Sequence, residues 1–352
     1  MTDRPPKLPR LSRSALQELR VFAVIVAASA AAGGVYAALG TDAAGTPWPM
    51  RALVGTAIGI VIASCLIGFE LVSARRLTAG GRRLPFAVAI LVRTIGFGAV
   101  IIVALVVLPW LFIGSSPSPF RRGIVGDIAF SIGATFLFVF LLSIIQLIGP
   151  RVLVNLLTGR YYRPREEQRI VLFLDLVGST AMAERMGNVG FHALLSDVFT
   201  RLSRVVTDHG GEVHRYVGDM LIATWPVGTA ADNARPIRCL FACQETLDAA
   251  RAALLARHGH APGFRAGLHL GTLVAGEIGG FKQEITFIGD AMNTAARIEQ
   301  ACRTTGHALL ASRPLVDRAA LPAGVIASSV GTQPLRGKNE PLELYVLERA
   351  AS

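Results

Sequence analysis

The sequence predicts an α+β protein in two parts, an amino-terminal unit of four membrane-spanning helices followed by a soluble domain of mixed strands and helices. Three observations predict it. Hydrophobic residues make up 52% of the chain and charged residues 17%, which is more apolar surface than one soluble fold can cover. The apolar residues gather into four long runs before residue 150. Beyond residue 169 the texture changes to short apolar runs punctuated by Gly, Asp and charged stretches.

The first twenty residues form a basic tail carrying Arg4, Lys7, Arg10, Arg13 and Arg20. The apolar runs follow at 21–39, 52–74, 85–113 and 124–149, each reaching the ~20 residues a helix needs to cross a bilayer. A cleaved signal peptide would have a shorter apolar core and lead into a secreted domain. Three further runs follow the first here, so it is read as a retained helix. Arginines mark the sides: Arg75, Arg76, Arg82 and Arg83 in the second connection, and Arg151, Arg160, Arg163 and Arg165 after the fourth run. Arg121 and Arg122 in the third connection run mildly against the pattern. The majority places both termini and the second connection in the cytoplasm. This placement accounts for the net charge of +11 without nucleic acid, for which no recognition motif is present. Glu70, Arg93 and Asp127 lie in or near the spans. Glu70 and Asp127 sit close enough to helix ends to reach the interface, and Arg93 is the candidate buried partner of either acid.

Residues 150–168 read as a connector. Pro150 ends the fourth helical pattern, Val152, Leu153, Leu156 and Leu157 form a short amphipathic helix, and Gly159 is placed to cap it. The helix can pack against a second copy or lie at the interface. The cysteines at 65, 239, 243 and 302 form no C-x-x-C pair; Cys65 sits inside an apolar run, and the spacing of the others fits reduced thiols packed in a cytosolic domain better than a zinc site.

The soluble domain, 169–352, carries the chemistry. Ile170–Leu174 is a buried strand ending at Asp175, and a helix opens at Gly178-Ser179-Thr180 with Ser179 or Thr180 as N-cap. The helix runs to about His209, Gly210-Gly211 turns the chain, and 212–225 reads as a hairpin with Val217-Gly218-Asp219-Met220 at its tip. Asp175 and Asp219 therefore sit at strand ends, and two carboxylates brought together there repel unless they share a cation. Backbone N–H groups at Val177–Ser179 are placed to hold phosphate. Asn293 and Arg297 are four apart on one helix face, where Asn can orient a sugar or base and Arg can grip phosphate bidentately. Arg336-Gly337-Lys338-Asn339 is a basic turn able to reach terminal phosphates.

These pieces resemble the catalytic domain of class III adenylate and guanylate cyclases over residues 169–347. The carriers are FLDLVGST (173–180), RYVGDMLIATW (215–225), RAGLHLGTLVAGEIG (265–279), FIGDAMNTAARIE (287–299) and LRGKNEPLELY (335–345). The membrane unit and the connector ending GRYYRPREEQR look like a bacterial subgroup with a short membrane anchor in the inner membrane. The resemblance implies a ferredoxin-like, polymerase-palm fold with a β-α-β-β-α-β core. It implies a homodimer whose two sites are each built from both catalytic domains, and conversion of ATP to cyclic AMP and pyrophosphate. By the same resemblance Asp175, Asp219 and the carbonyl of Leu176 hold two Mg²⁺ or Mn²⁺ ions, Asn293 places the ribose, Arg297 stabilises charge on the α-phosphate, and Lys338 binds the terminal phosphates. Arg215 stands where the adenylate pattern has Lys, and Thr286 matches the Thr-type subgroup at the second base-reading position. Neither guanylate-type residue is present, so ATP is favoured over GTP. A guanylate cyclase, or a membrane receptor whose catalytically silent domain only binds nucleotide, are the alternatives.

The remaining polar residues read as structural. Asp290 is a helix cap before it is a ligand, His269 a satisfied strand histidine, and Glu212 and His214 a solvated strand face. Arg265 is placed to orient an acid. No G-x-G-x-x-G opens a helix after a strand, so a Rossmann site is not expected. The stretch from Thr229 to His258 reads as one Ala- and Arg-rich helix covering the sheet.

Overall fold

A computed structural model describes residues 13–39, 47–79, 158–280, 283–333 and 341–350, with separate positions between 88 and 144. The chain divides into two compact units, one spanning Ala15–Leu157 and the other built on Thr158–Ser352.

In the first unit α1 (Arg13–Leu39) and α2 (Trp48–Ala79) coincide with the first two expected spans. Among the described residues these two helices are long and apolar enough to cross a membrane, through Phe22–Leu39 and Trp48–Cys65. They meet at backbone contact. A Cβ on Gly33 would lie 2.3 Å from the carbonyl oxygen of Gly55, and one on Gly59 would lie 2.2 Å from that of Ser29. Such small-residue seams are how helices associate when lipid removes the hydrophobic drive. Their other faces present Val24, Val35, Leu39 and Leu53 outward. The third and fourth expected spans and the connector helix lie largely outside the described residues, as do Arg93, Asp127 and the side chain of Glu70.

The second unit is an eight-stranded sheet with helices on both faces. Its elements in chain order are β1 (Arg165–Leu176), α3 (Ser179–Asp208), β2 (Glu212–Val217), β3 (Met220–Pro226), α4 (Ala230–Asn233), α5 (Arg235–His258), β4 (Phe264–Ile278), β5 (Glu284–Ile288), α6 (Asp290–Thr305), β6 (Leu309–Ser312), α7 (Arg313–Val316), β7 (Val325–Gln333) and β8 (Leu342–Arg349). The strand order is β2-β3-β1-β4-β6-β8-β7, with β5 paired to the far end of β4. All pairings are antiparallel except β4 with β6.

β1 is covered on both sides, so it reads as a continuous apolar run. Its even-numbered residues Ile170, Leu172, Leu174 and Leu176 pack with Leu194 and Leu202 of α3 and Ile237 and Leu240 of α5. Its odd-numbered residues Val171 and Phe173 pack with Phe287 of β5 and Ala291 and Ala295 of α6. Asp175 continues the odd series, so the two-residue period delivers its carboxylate to the α6 side.

Four expectations change. The sheet begins at Arg165, inside the stretch assigned to the connector, because Arg165–Gln168 pair with Thr272–Ala275 of β4. The cap of α3 is Gly178, in the left-handed region at φ 76°, and neither Ser179 nor Thr180 caps it. The helix also kinks at Gly187, where φ is 71°. The single helix expected over 229–258 is two: Thr229 closes a capping box on α4, and Pro236 stands in the first turn of α5.

Candidate active site

The β1 end and the β2–β3 tip converge as the sequence requires. Asp175 lies opposite Met220 on one side and Arg265 on the other, and the N–H of Leu176 donates to the carbonyl of Asp219 at 3.4 Å. The carboxylate of Asp175 is buried, at 4% side-chain exposure, and accepts from Nη2 of Arg303 at 2.8 Å. Burial raises its pKa above the usual carboxylate range, and the charge and hydrogen bonding of Asp219 raise it further, while Arg303 opposes both. Two acids side by side, one of them buried, form a pair that wants a cation.

A third carboxylate lies behind them. Glu299 of α6 is 1% exposed, and its Oε1 has no hydrogen-bond partner among the described residues. Burial first, then the charge of Asp175, raises its pKa. Nε of Arg265 is likewise buried and unpartnered. Hard carboxylate and carbonyl oxygens at Asp175, Asp219 and Leu176, beside an orphaned carboxylate oxygen, are the donor chemistry that Mg²⁺ or Mn²⁺ takes.

Of the three amides expected to hold phosphate, the N–H of Val177 is taken up by the carbonyl of Gly263, to which it donates at 2.9 Å. Helix α6 has a buried and an exposed side. Its buried side carries Ala291, Thr294, Ala295, Ile298, Glu299 and Cys302. Asn293 is exposed and Arg297 half-buried, both outside that buried side, and among the described residues the cation paired with Asp175 is Arg303. Asp290 is the first residue of the helix and Gly289 its cap; its carboxylate accepts from the hydroxyl of Thr294 at 3.4 Å.

The two residues expected to read the base lie on different strands. Thr286 lies on β5 opposite Gly276, to whose carbonyl its hydroxyl donates at 3.4 Å. Arg215 on β2 forms an ion pair with Glu284 of β5, two residues from Thr286 and so on the same strand face. Sequence reasoning missed Glu284, Glu299 and Arg303. Glu299 was visible as the acid two residues beyond Arg297, whereas nothing local ties Glu284 to Arg215. Lys338 lies outside the described residues.

The solvated face expected for Glu212 and His214 is instead part of a buried polar cluster. Arg169 donates to the hydroxyl of Tyr161 at 2.8 Å and to Thr224 at 3.2 Å, pairs with Glu167 and Glu212, and lies 4.9 Å over the ring of Phe287. His214 stacks on that same ring at 4.5 Å. The cause is β5, which lies over the β1–β2 face. Burial, then the charges of Arg215 and Arg169, depress the His214 pKa to about 4. The unfolded chain therefore takes up a proton near pH 6.5 that the folded domain refuses. The stability contribution is full above pH 6.5 and is lost as pH falls towards 4, by roughly 3 kcal/mol in all. In urea unfolding followed by near-ultraviolet circular dichroism, His214→Gln should lose most of this acid dependence. A pH profile as steep as wild type would refute the assignment. His269 is satisfied as expected, with Nδ1 2.8 Å from the hydroxyl of Ser312. Cys239, Cys243 and Cys302 are buried free thiols, and Cys65 is an exposed one.

The model of the family described as "Adenylate and Guanylate cyclase catalytic domain" matches residues 161–348. The chain belongs to this family. Among curated cyclase relatives, "Adenylate cyclase 2" of Rhizobium meliloti (strain 1021) is 39% identical over 209 residues, covering 59% of this chain and 58% of the relative. "Adenylate cyclase 1" of the same organism is 31% identical over 179 residues, covering 49% of this chain and 26% of the relative. The chain thus spans less than two thirds of either cyclase. A solved bacterial light-regulated adenylyl cyclase superposes with a TM-score of 0.54 at 20% identity, over 67% of this chain and 68% of that one, a likeness of fold. The family match begins at Tyr161, within the segment that the Arg169 cluster fastens to the sheet.

Proposed function

We propose that this protein is a membrane-anchored adenylate cyclase, converting ATP to 3′,5′-cyclic AMP and pyrophosphate in a homodimer. The observation that carries the reading is the convergence of Asp175 and Asp219 beside one face of α6 while Asn293 and Arg297 stand on its other face. On this reading one chain holds two half-sites, and a second copy placed head to tail completes both. When bound, two Mg²⁺ or Mn²⁺ ions held by Asp175, Asp219 and the Leu176 carbonyl would acidify the ribose 3′-OH and neutralise the leaving pyrophosphate. The 3′-oxygen attacks the α-phosphorus in line as the bond to pyrophosphate breaks. Asn293 of the second copy orients the ribose, its Arg297 neutralises charge growing on the α-phosphate, and Lys338 grips the terminal phosphates. Thr286 accepts from the adenine amino group, and Arg215 donates to the ring. The apolar outer faces and glycine seam of α1 and α2 support anchoring in the bilayer, within a multi-pass unit that keeps the catalytic domain in the cytoplasm of a bacterial cell.

The Arg215–Glu284 pair favours one second reading. A carboxylate at the base-reading face can accept from the N1–H and 2-amino groups of guanine, which makes GTP the competing substrate. Purified full-length protein incubated with ATP or GTP and Mn²⁺, beside an Asp175→Ala control, separates the readings. Cyclic AMP that vanishes in the control is the expected result. Cyclic GMP would reassign the base, and binding of nucleotide without any cyclic product would make the domain a silent nucleotide receptor.

A further inference from the structure

We propose that Arg303 is a tethered counter-cation of the Asp175–Asp219 pair, one that a divalent metal must displace from Asp175 in order to bind. The inference rests on the two-aspartate reading of the metal site and goes beyond it. The cluster at the β1 end consists of Asp175, Asp219 and Glu299 faced by Arg265 and Arg303. Arg265 lies on β4 opposite Asp175 in register and has a buried Nε, so it stays where the sheet puts it. Arg303 differs in kind. It sits in the last turn of α6, its side chain is 58% exposed, and only its tip reaches inward to Oδ2 of Asp175 at 2.8 Å. A buried carboxylate cannot be left without a partner, whereas an exposed guanidinium loses little by swinging back into water. The asymmetry makes Arg303 the group that leaves.

The geometry supports this on two further counts. The oxygen that Arg303 holds belongs to one of the two carboxylates a metal needs, so a cation binding at Asp175 competes with Arg303 for the charge of one carboxylate. Glu299 and Arg303 are four apart on α6, on the side facing this chain's own aspartates, while Asn293 and Arg297 occupy the other. The helix thus presents a charge-balancing edge to one half-site and a substrate-binding edge to the next. Until metal arrives, Arg303 relieves the repulsion between the acids and keeps the β1 end closed.

The test is Mn²⁺ binding to full-length protein in detergent, read by the electron paramagnetic resonance of free Mn²⁺ without nucleotide. Arg303→Gln should tighten binding about tenfold, because the metal no longer replaces a charge-assisted hydrogen bond. Arg303→Lys, which keeps a mobile cation, should stay close to wild type. Asp175→Ala should lose the site in every background. Equal or weaker binding by Arg303→Gln would overturn the proposal while leaving the metal reading intact, since Arg303 would then be shaping the site. Absence of Mn²⁺ binding in wild type and Arg303→Gln alike would remove the metal reading and this proposal together.

Discussion

Asp219→Asn is expected to reduce cyclic-nucleotide synthesis by about 10³-fold or more while making the metal-free catalytic domain more resistant to urea. The two effects have one origin. Asp175 is buried and held above the usual carboxylate range by that burial and by Asp219 beside it. A carboxyl whose folded pKa lies above its unfolded value favours the folded state while protonated, and its contribution declines as pH rises through the unfolded and then the folded pKa. At neutral pH the buried acid is therefore a standing cost, and Asn at 219 removes the part that Asp219 adds to it, together with one of the two carboxylates of the donor set. The unfolding midpoint of Asp219→Asn should exceed wild type at pH 8 without metal, and the difference should shrink towards pH 4. A variant that loses activity and also stability at pH 8 would show that Asp219 supports the hairpin tip and not a cation.

The second large effect is expected at Gly267. In β4 it lies opposite Phe173, and α6 runs directly across it. A Cβ there would stand 2.4 Å from the backbone nitrogen of Glu299 and 2.8 Å from the carbonyl oxygen of Ala295. Both contacts are main chain, so no rotamer change relieves them and the helix itself must move. Gly267→Val should cost about 3 kcal/mol or more. It should also abolish activity where the protein still folds, because α6 carries Glu299 and Arg303 on one side and Asn293 and Arg297 on the other. Urea midpoints and the product assay on the same preparation check both. Retained activity with an unchanged midpoint would mean that the helix does not need its present seat on the sheet.

What could be read from the sequence divides by range. The run ending at Asp175, the glycine turn at 210–211, the hairpin tip at 217–220 and the i, i+4 pair at 293 and 297 are local patterns, and each element forms where its own residues dictate. The residues that escaped depend on which strands become neighbours. β5 pairs with the far end of β4 and then covers the β1–β2 face. Its seat turns His214 from a solvated residue into a half-buried one, puts Glu284 against Arg215, and gives Arg169 an aromatic lid. Arg303 was missed for another reason: an arginine in the last turn of a helix is ordinary, since the carbonyl end attracts a cation. Only the fold shows that the β1 end lies within its reach.

The strand order also sets a timetable. Asp175 pairs with Arg265, some ninety residues further along the chain, an interval the ribosome needs roughly 5–20 s to cover. During it β1 gains α3 and α5 on its even-numbered face and the β2–β3 hairpin as a strand neighbour, while its odd-numbered face waits for β5 and α6, and the two acids are made well before the helix that supplies Arg303. Joining β1 to β4 closes the largest loop at the centre of the sheet and should be the slow event of folding. The aspartates are therefore laid down first, and the helix that carries Arg303 joins them only once residue 305 has emerged.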